Sequence, residues 1–298
     1  MNPLRALIMA ASRNETVRHL VATAPITRDV VTRFVAGETT ESAVQAVRTL
    51  NLPVTLDYLG EDTEDKAQAE KTVQAYLELL DALHAAKLAR NAEVSVKLSA
   101  VGQALDESLA LTNASRICAA AEQCGTTVTL DMEDHTTTDS TLRVLDELRR
   151  TWPWVGAVLQ SYLHRTLEDC ERLAKAGSRV RLVKGAYAEP PDVAIQDPHE
   201  VDLNYVRCAN VLLAGEGYPM FATHDPRLID IIGERARWYD KTEFEHQMLY
   251  GVRPDEQRRL GARVYVPYGE QWYGYLMRRL AERPANVTFF LRSLVSRS

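Results

Sequence analysis

The sequence predicts a (β/α)8 barrel of the TIM type behind an N-terminal helical arm, and three observations carry that reading. About eight short β-branched or apolar runs alternate with longer amphipathic stretches, the rhythm of a parallel sheet with helical crossovers. The length of 298 residues suits one closed barrel. Polar residues collect at the C-terminal ends of the runs, where a barrel carries its chemistry. An open doubly wound sheet is the structural alternative.

Residues 1–51 read as the arm and residues 52–298 as the barrel. The strand candidates are residues 54–60, 93–99, 127–133, 156–162, 179–187, 219–225, 242–249 and 263–269. Between them lie stretches of helical periodicity or charge pattern, clearest over residues 62–86 and 106–123. After the last run, residues 269–282 read as a helix that Pro284 helps to end. No Pro/Gly/Ser linker or internal repeat divides the chain, so one domain with an arm is expected.

Composition narrows the function. Lys and Arg number 35 against 41 Asp and Glu, a net charge of −6, which argues against nucleic acid as a partner. No apolar run is long enough to span a membrane. The apolar stretch in residues 1–10 is ended by Ser12, Arg13, Asn14 and Glu15 too soon for a signal peptide. Cys118, Cys124, Cys170 and Cys208 form no C-x-x-C pair, so free thiols and a cytoplasmic setting are expected. A Rossmann fingerprint, a P-loop, H-E-x-x-H and G-x-S-x-G are all absent; Gly215-Glu216-Gly217 lacks the third glycine.

Six successive strand ends carry polar groups. Lys97 closes the second run, Asp131, Glu133, Asp134 and His135 the third, and Gln160 and Tyr162 the fourth. Arg181, Lys184 and Tyr187 punctuate the fifth, Thr223, His224 and Asp225 close the sixth, and Glu245 and Gln247 lie on the seventh. On the last helix, Tyr275, Arg278, Arg279 and Glu282 fall three and four residues apart, along one side. Such a side is either a surface ion pair or a carboxylate clamp. In the clamp, two guanidinium forks hold one carboxylate, Glu282 orients them and Tyr275 packs beside the ligand.

With these residues in place, the sequence resembles the proline dehydrogenase family, flavoenzymes that oxidise L-proline to Δ1-pyrroline-5-carboxylate. The strongest motif is Arg181-Leu182-Val183-Lys184-Gly185-Ala186-Tyr187, followed by Tyr275-x-x-Arg278-Arg279-x-x-Glu282. Supporting segments are Val96-Lys97-Leu98-Ser99, Leu130-Asp131, Gln160-Ser161-Tyr162, Phe221-Ala222-Thr223-His224-Asp225 and Gln247-Met248-Leu249-Tyr250-Gly251. The chain is most similar to the short, single-activity bacterial form.

The resemblance implies a distorted (β/α)8 TIM-type barrel with FAD at its C-terminal face and the last helix lying over the proline pocket. It assigns Arg278, Arg279 and Lys97 to the proline carboxylate and Asp131 to the support of Lys97. It assigns Tyr187, Leu249, Tyr265 and Tyr275 to the walls around the ring. Tyr265, where relatives that prefer hydroxyproline tend to have a smaller residue, favours unsubstituted proline. Arg181 would stand near flavin N5, with Gln160, Lys184, Gly185, Ala186, Thr223 and His224 along the cofactor. Electrons would pass to a membrane quinone, which allows loose peripheral association at the inner face of the membrane. A separate pyrroline-5-carboxylate dehydrogenase would take the product.

One segment departs from the family pattern. Relatives often carry a basic residue just before Val201-Asp202, a place expected beside the cofactor's tail; here Asp197, His199 and Glu200 occupy that stretch. Three other readings remain open on the residues alone. A metal-dependent hydrolase would draw ligands from Asp131, Glu133, Asp134, His135, His224 and Asp225. A pyridoxal-phosphate barrel would use Lys184, and a ligand-binding barrel without turnover would keep the arginine pair.

Overall fold

The computed structural model describes residues 31–60 and 63–282, with side chains through residue 277. Each strand candidate forms a strand: β1 (Val54–Tyr58), β2 (Ala92–Val96), β3 (Val128–Leu130), β4 (Gly156–Gln160), β5 (Arg179–Val183), β6 (Tyr218–Ala222), β7 (Glu245–Leu249) and β8 (Arg263–Tyr268). All pairings are parallel and follow chain order, and β1 closes on β8 with Val54 opposite Val264. Several ladders end before the sequence runs do. Lys97, Asp131, Lys184 and Thr223 stand just past the last paired residue, where the backbone turns into the βα loops.

The helices that lie wholly within the described residues include α1 (Thr40–Leu50), α2 (Lys66–Ala85), α3 (Glu107–Cys124), α4 (Thr138–Thr151), α5 (Thr166–Lys175), α6 (Pro198–Ala214), α7 (Pro226–Trp238), α8 (Pro254–Leu260) and α9 (Trp272–Glu282). Their starts are written in side-chain chemistry. Asp65, Asp106, Asp197 and Asp225 accept from the first free backbone N–H groups of α2, α3, α6 and α7. Proline opens α6, α7 and α8, where its missing N–H costs nothing. Gly125 and Gly261 end α3 and α8 with φ of 74° and 58°.

The barrel departs from the ideal at its seam. Normally the helix after β8 packs outside, between β8 and β1. Here α1 packs against α2 and β8, burying Ala43, Val44, Ala46 and Val47 in the same core as the strands. The segment before it is tied to the end of β8: Ala36 N–H donates to Pro267 O, and Gly269 N–H to Gly37 O, both at 2.9 Å. With the seam filled, α9 lies instead on Phe34, Val35 and Leu59, above the C-terminal end of β1. Part of the expected arm is thus barrel shell; residues 1–30 lie outside the described residues.

The apolar core is a shell between sheet and helices. Leu56, Val94, Leu130, Leu182 and Val264 point out of the barrel into Val73, Leu80, Ile117, Leu145 and their neighbours. Alternate residues of the same strands point inward and are polar: Thr55 and Asp57, Glu93 and Ser95, Thr129, Arg179 and Arg181, Arg263 and Tyr265. Their contacts cross the barrel, as where Glu93 of β2 meets Arg179 of β5 at 2.6 Å. Lying between α2 and the sheet, Leu80 is fully buried. Leu80→Ala is expected to cost about 2–5 kcal/mol through the cavity it leaves, read as a lower urea midpoint with an unchanged slope.

Candidate active site

The polar interior is ordered from the bottom up. Glu93, 1% exposed, sits at the N-terminal end among three arginines, with Arg179 Nη2 at 2.6 Å, Arg181 Nη2 at 3.4 Å and Arg263 Nε at 4.0 Å. Thr55 and Thr127 hydroxyls also donate to it, at 2.7 and 3.1 Å. Burial alone would raise the Glu93 carboxyl; Arg179, Arg263 and Arg181 outweigh it and hold the group well below the usual carboxylate range.

One layer higher, Arg181 is 3% exposed and fixed from three sides. Its Nη1 donates to Asp131 Oδ1 at 2.8 Å and to Ser95 Oγ at 3.0 Å, and its guanidinium lies 5.3 Å from the Tyr265 ring centre. Tyr265 donates to the other Asp131 oxygen at 2.8 Å. Burial, and then the charge of Asp131, push the Tyr265 hydroxyl far above its ordinary pKa, so it remains a neutral donor. Burial would also raise Asp131, but Lys97 and Arg181 reverse that and keep it ionised. The Lys97 ammonium stands 3.3 Å from Asp131 and 2.7 Å from Asp57.

Above this layer opens a cavity of about 700 Å³ at the C-terminal strand ends. Lys97, Asp131, Arg181, Tyr187, Leu249, Tyr265 and Tyr275 all line it, as do Gln160, Lys184, Gly185, Ala186, Thr223 and His224. The structure therefore gathers every residue that the resemblance assigned to the site and whose side chain it describes, whereas Glu133, Asp134, His135, Tyr162 and Glu245, also read as polar strand-end groups, do not line it. Arg278, Arg279 and Glu282 follow on α9, but their side chains lie outside the described residues. Tyr187 is 40% exposed at the rim.

Several wall residues are held by specific bonds. Gln160 Nε2 donates to Glu133 O at 2.8 Å. The Leu249 N–H donates to His224 Nε2 at 2.9 Å, which makes that nitrogen the acceptor and leaves the hydrogen of the neutral ring on Nδ1. Lys184 reaches Asp202 at 2.5 Å and Asp225 at 3.2 Å. Hydrogen bonds from Arg227, then from Lys184, hold Asp225 down to about 2 against its partial burial. In the stretch that departs from the family pattern, Asp197 caps α6 and Asp202 takes Lys184 and Arg227. The acids weighed as metal ligands are engaged elsewhere: Asp131 and Asp225 by cations, Glu133 by Ser99, and Asp134 by the turn at Thr136.

Sequence reasoning missed Asp57 and Glu93. Both interrupt runs otherwise suited to buried strands, and a charge in such a run was the available signal. The series of polar strand ends is recognised from the second strand onward, and Asp57 lies on the first. Glu93 sits at a strand start, where a charge also suits a solvated loop.

A family model described as proline dehydrogenase matches residues 40–292. The chain is 44% identical over 278 residues to proline dehydrogenase of Deinococcus radiodurans, covering 88% of this chain and 89% of that one. It is 38% identical over 304 aligned residues to proline dehydrogenase 1 of Bacillus subtilis, covering 99% and 100%. Among solved structures it is similar to proline utilization A of Bdellovibrio bacteriovorus inactivated by N-propargylglycine, with TM-score 0.81 and 26% identity over 100% of this chain and 38% of that one. A variant of proline utilization A of Bradyrhizobium japonicum gives TM-score 0.73 and 26% identity over 87% and 31%. The chain spans about a third of the length of each of these two proteins.

Glu93→Gln leaves buried arginines without their shared counter-ion and is expected to cost about 3–5 kcal/mol at pH 7. The folded carboxyl titrates lower than the unfolded one, near pH 4.3, so the unfolded chain takes up the proton first as pH falls. Stability that Glu93 contributes above about pH 4.3 is therefore lost toward its folded value. Urea titrations from pH 6 to pH 3 should fall less steeply in Glu93→Gln than in the natural protein.

Proposed function

The chain belongs to the proline dehydrogenase family, and from that premise we propose that it is an FAD-dependent enzyme taking L-proline to Δ1-pyrroline-5-carboxylate and passing the electrons to a membrane quinone. Oxidation of proline, the first step of its catabolism, is the activity of this oxidoreductase family. The observation that carries the finer reading is the fixed Asp131–Arg181–Tyr265–Lys97 layer at the floor of a cavity that α9 borders through Tyr275.

The residues present fit the cofactor. The cavity, about 700 Å³, is within the range that buries cofactor-sized ligands. Its walls offer cations at Arg181 and Lys184 and neutral hydrogen-bonding groups at Gln160, Thr223 and His224. Among the described residues, buried atoms of three lining residues, Asp57 Oδ1, Arg181 Nε and Gln247 Oε1, have no hydrogen-bond partner; a polar ring system would supply partners to Arg181 and Gln247. When bound, FAD supplies the hydride acceptor at N5.

The chain's own work is positioning. Lys97, with Arg278 and Arg279 one turn beyond Tyr275, would fix the proline carboxylate, two guanidiniums matching its planar geometry. Leu249, Tyr187 and Tyr275 would enclose the ring, and the fixed Tyr265 phenol leaves room for unsubstituted proline. Fixing the ring removes most of the orientational cost of hydride transfer. The ring carbon C5 loses a hydride and the amine a proton, leaving the C=N bond of the product. We read the proton as passing to water, since the lining carboxylates are committed to cations: Asp131 to Arg181 and Lys97, Asp57 to Lys97, and Asp225 to Lys184 and Arg227. Among the described residues no helix is long and apolar enough to cross a membrane; a quinone would be met by the folded surface.

Gly185 makes the cofactor wall sensitive. Its φ is +114°, and a Cβ there would stand 2.2 Å from the Tyr162 ring, which is tied through its hydroxyl to Glu189. Gly185→Ala must displace that loop and should lower retained FAD by about tenfold after gel filtration, with less effect on the melting temperature. The central test is the absorption spectrum of the purified protein, repeated anaerobically with L-proline. Bands near roughly 370 and 450 nm that bleach with proline are expected. A protein that stays colourless and inactive after FAD is added overturns the reading.

A further inference from the structure

Asp57 is buried beneath the cavity, outside the set of groups assigned to substrate or cofactor. It is the fourth residue of β1, 1% exposed, and lines the cavity floor. Lys97 Nζ donates to its Oδ2 at 2.7 Å, closer than the 3.3 Å to Asp131. Its other oxygen, Oδ1, is buried without a hydrogen-bond partner among the described residues. Around it stand Lys97 after β2, Asp131 after β3, Tyr265 and Tyr268 on β8, and Tyr76 on α2. Burial, opposed by Lys97 and reinforced by Asp131, raises its carboxyl above the usual range.

A desolvated carboxylate with one oxygen unsatisfied is a poor way to stabilise a barrel, and an apolar residue of similar volume would serve the fold at least as well. Its arrangement makes sense through Lys97. An ammonium on a four-carbon stem has no fixed fork and little directional preference of its own. Asp131 alone would draw it onto β3, toward Arg181 and Tyr265. A second carboxylate on β1 pulls from the opposite flank, so the charge is held between two strands at a fixed height in the cavity floor.

We propose that Asp57 is a positioning residue that sets the place of the Lys97 ammonium and thereby where the substrate carboxylate docks. This rests on the reading of Lys97 as a carboxylate ligand. The holoenzyme is first shown to bleach with L-proline; failure there removes the functional reading itself and is distinct from any failure of the Asp57 variants. In Asp57→Asn, KM for proline is expected to rise about 10- to 100-fold, the weight of one charge-assisted hydrogen bond, while kcat changes less than about threefold and FAD content is unchanged. Should the asparagine variant fold poorly, Asp57→Ser is read in the same way. The decisive comparison adds the same substitution to Lys97→Met, measured by anaerobic flavin reduction over a range of proline concentrations. If Asp57 acts through Lys97, the second change moves KM by less than about twofold. An equal further rise in KM in that background, an unchanged KM in the single variant, or a loss confined to kcat overturns the proposal.

Discussion

A charge inside a closed barrel has no water to turn to, and in this protein that constraint organises the interior. Glu93 is tolerated because Arg179, Arg181 and Arg263 surround it, and each of those arginines is in turn held by it. The bonds join β2 to β5 and β8 across the lumen. From Arg181 the same logic climbs a layer, to Asp131 at the end of β3, then to Lys97 and Asp57. The groups that face the cavity are the upper end of one continuous ionic structure. They are held in place from below by the ion pairs of the layer beneath them.

Such an interior is a weak source of stability. Desolvation offsets most of what buried ion pairs gain. The folding free energy must come from the outer shell, where Leu56, Val94, Leu130 and Leu182 meet the helices. Strand alternation makes this division possible: one face of each strand serves the core and the other the site. The usual barrel fills its lumen with branched apolar residues; here the lumen is given over to orienting cations and acids.

The displaced seam completes the arrangement. Because α1 covers β8 from outside, α9 is released to lie over Phe34, Val35 and Leu59 and to bring Tyr275 to the cavity. Floor and roof thus have different origins. The floor is built from strand residues locked by charge, and the roof from a helix held by apolar packing. Substrate orientation would depend on both, since Lys97 belongs to the floor and Arg278 and Arg279 to the roof-forming helix.

Alternation of strand and helix signals was enough to determine the sequence of elements and the barrel itself, since period and turn chemistry are local properties. Motif order also determined the family, and the residues around the cavity were legible because they cluster at strand ends in chain order. What the chain could not show by itself was which inward groups pair across the lumen. Glu93 and Arg179 are 86 positions apart, and Asp57 and Lys97 are 40 apart; only closure of the barrel makes them neighbours. Nor could it show that α1 fills the seam, because the competition between α1 and α9 for one groove is settled by packing. Local pattern fixes elements, whereas the pairing of buried charges and the choice of which helix covers which gap are decided only when the whole surface is formed.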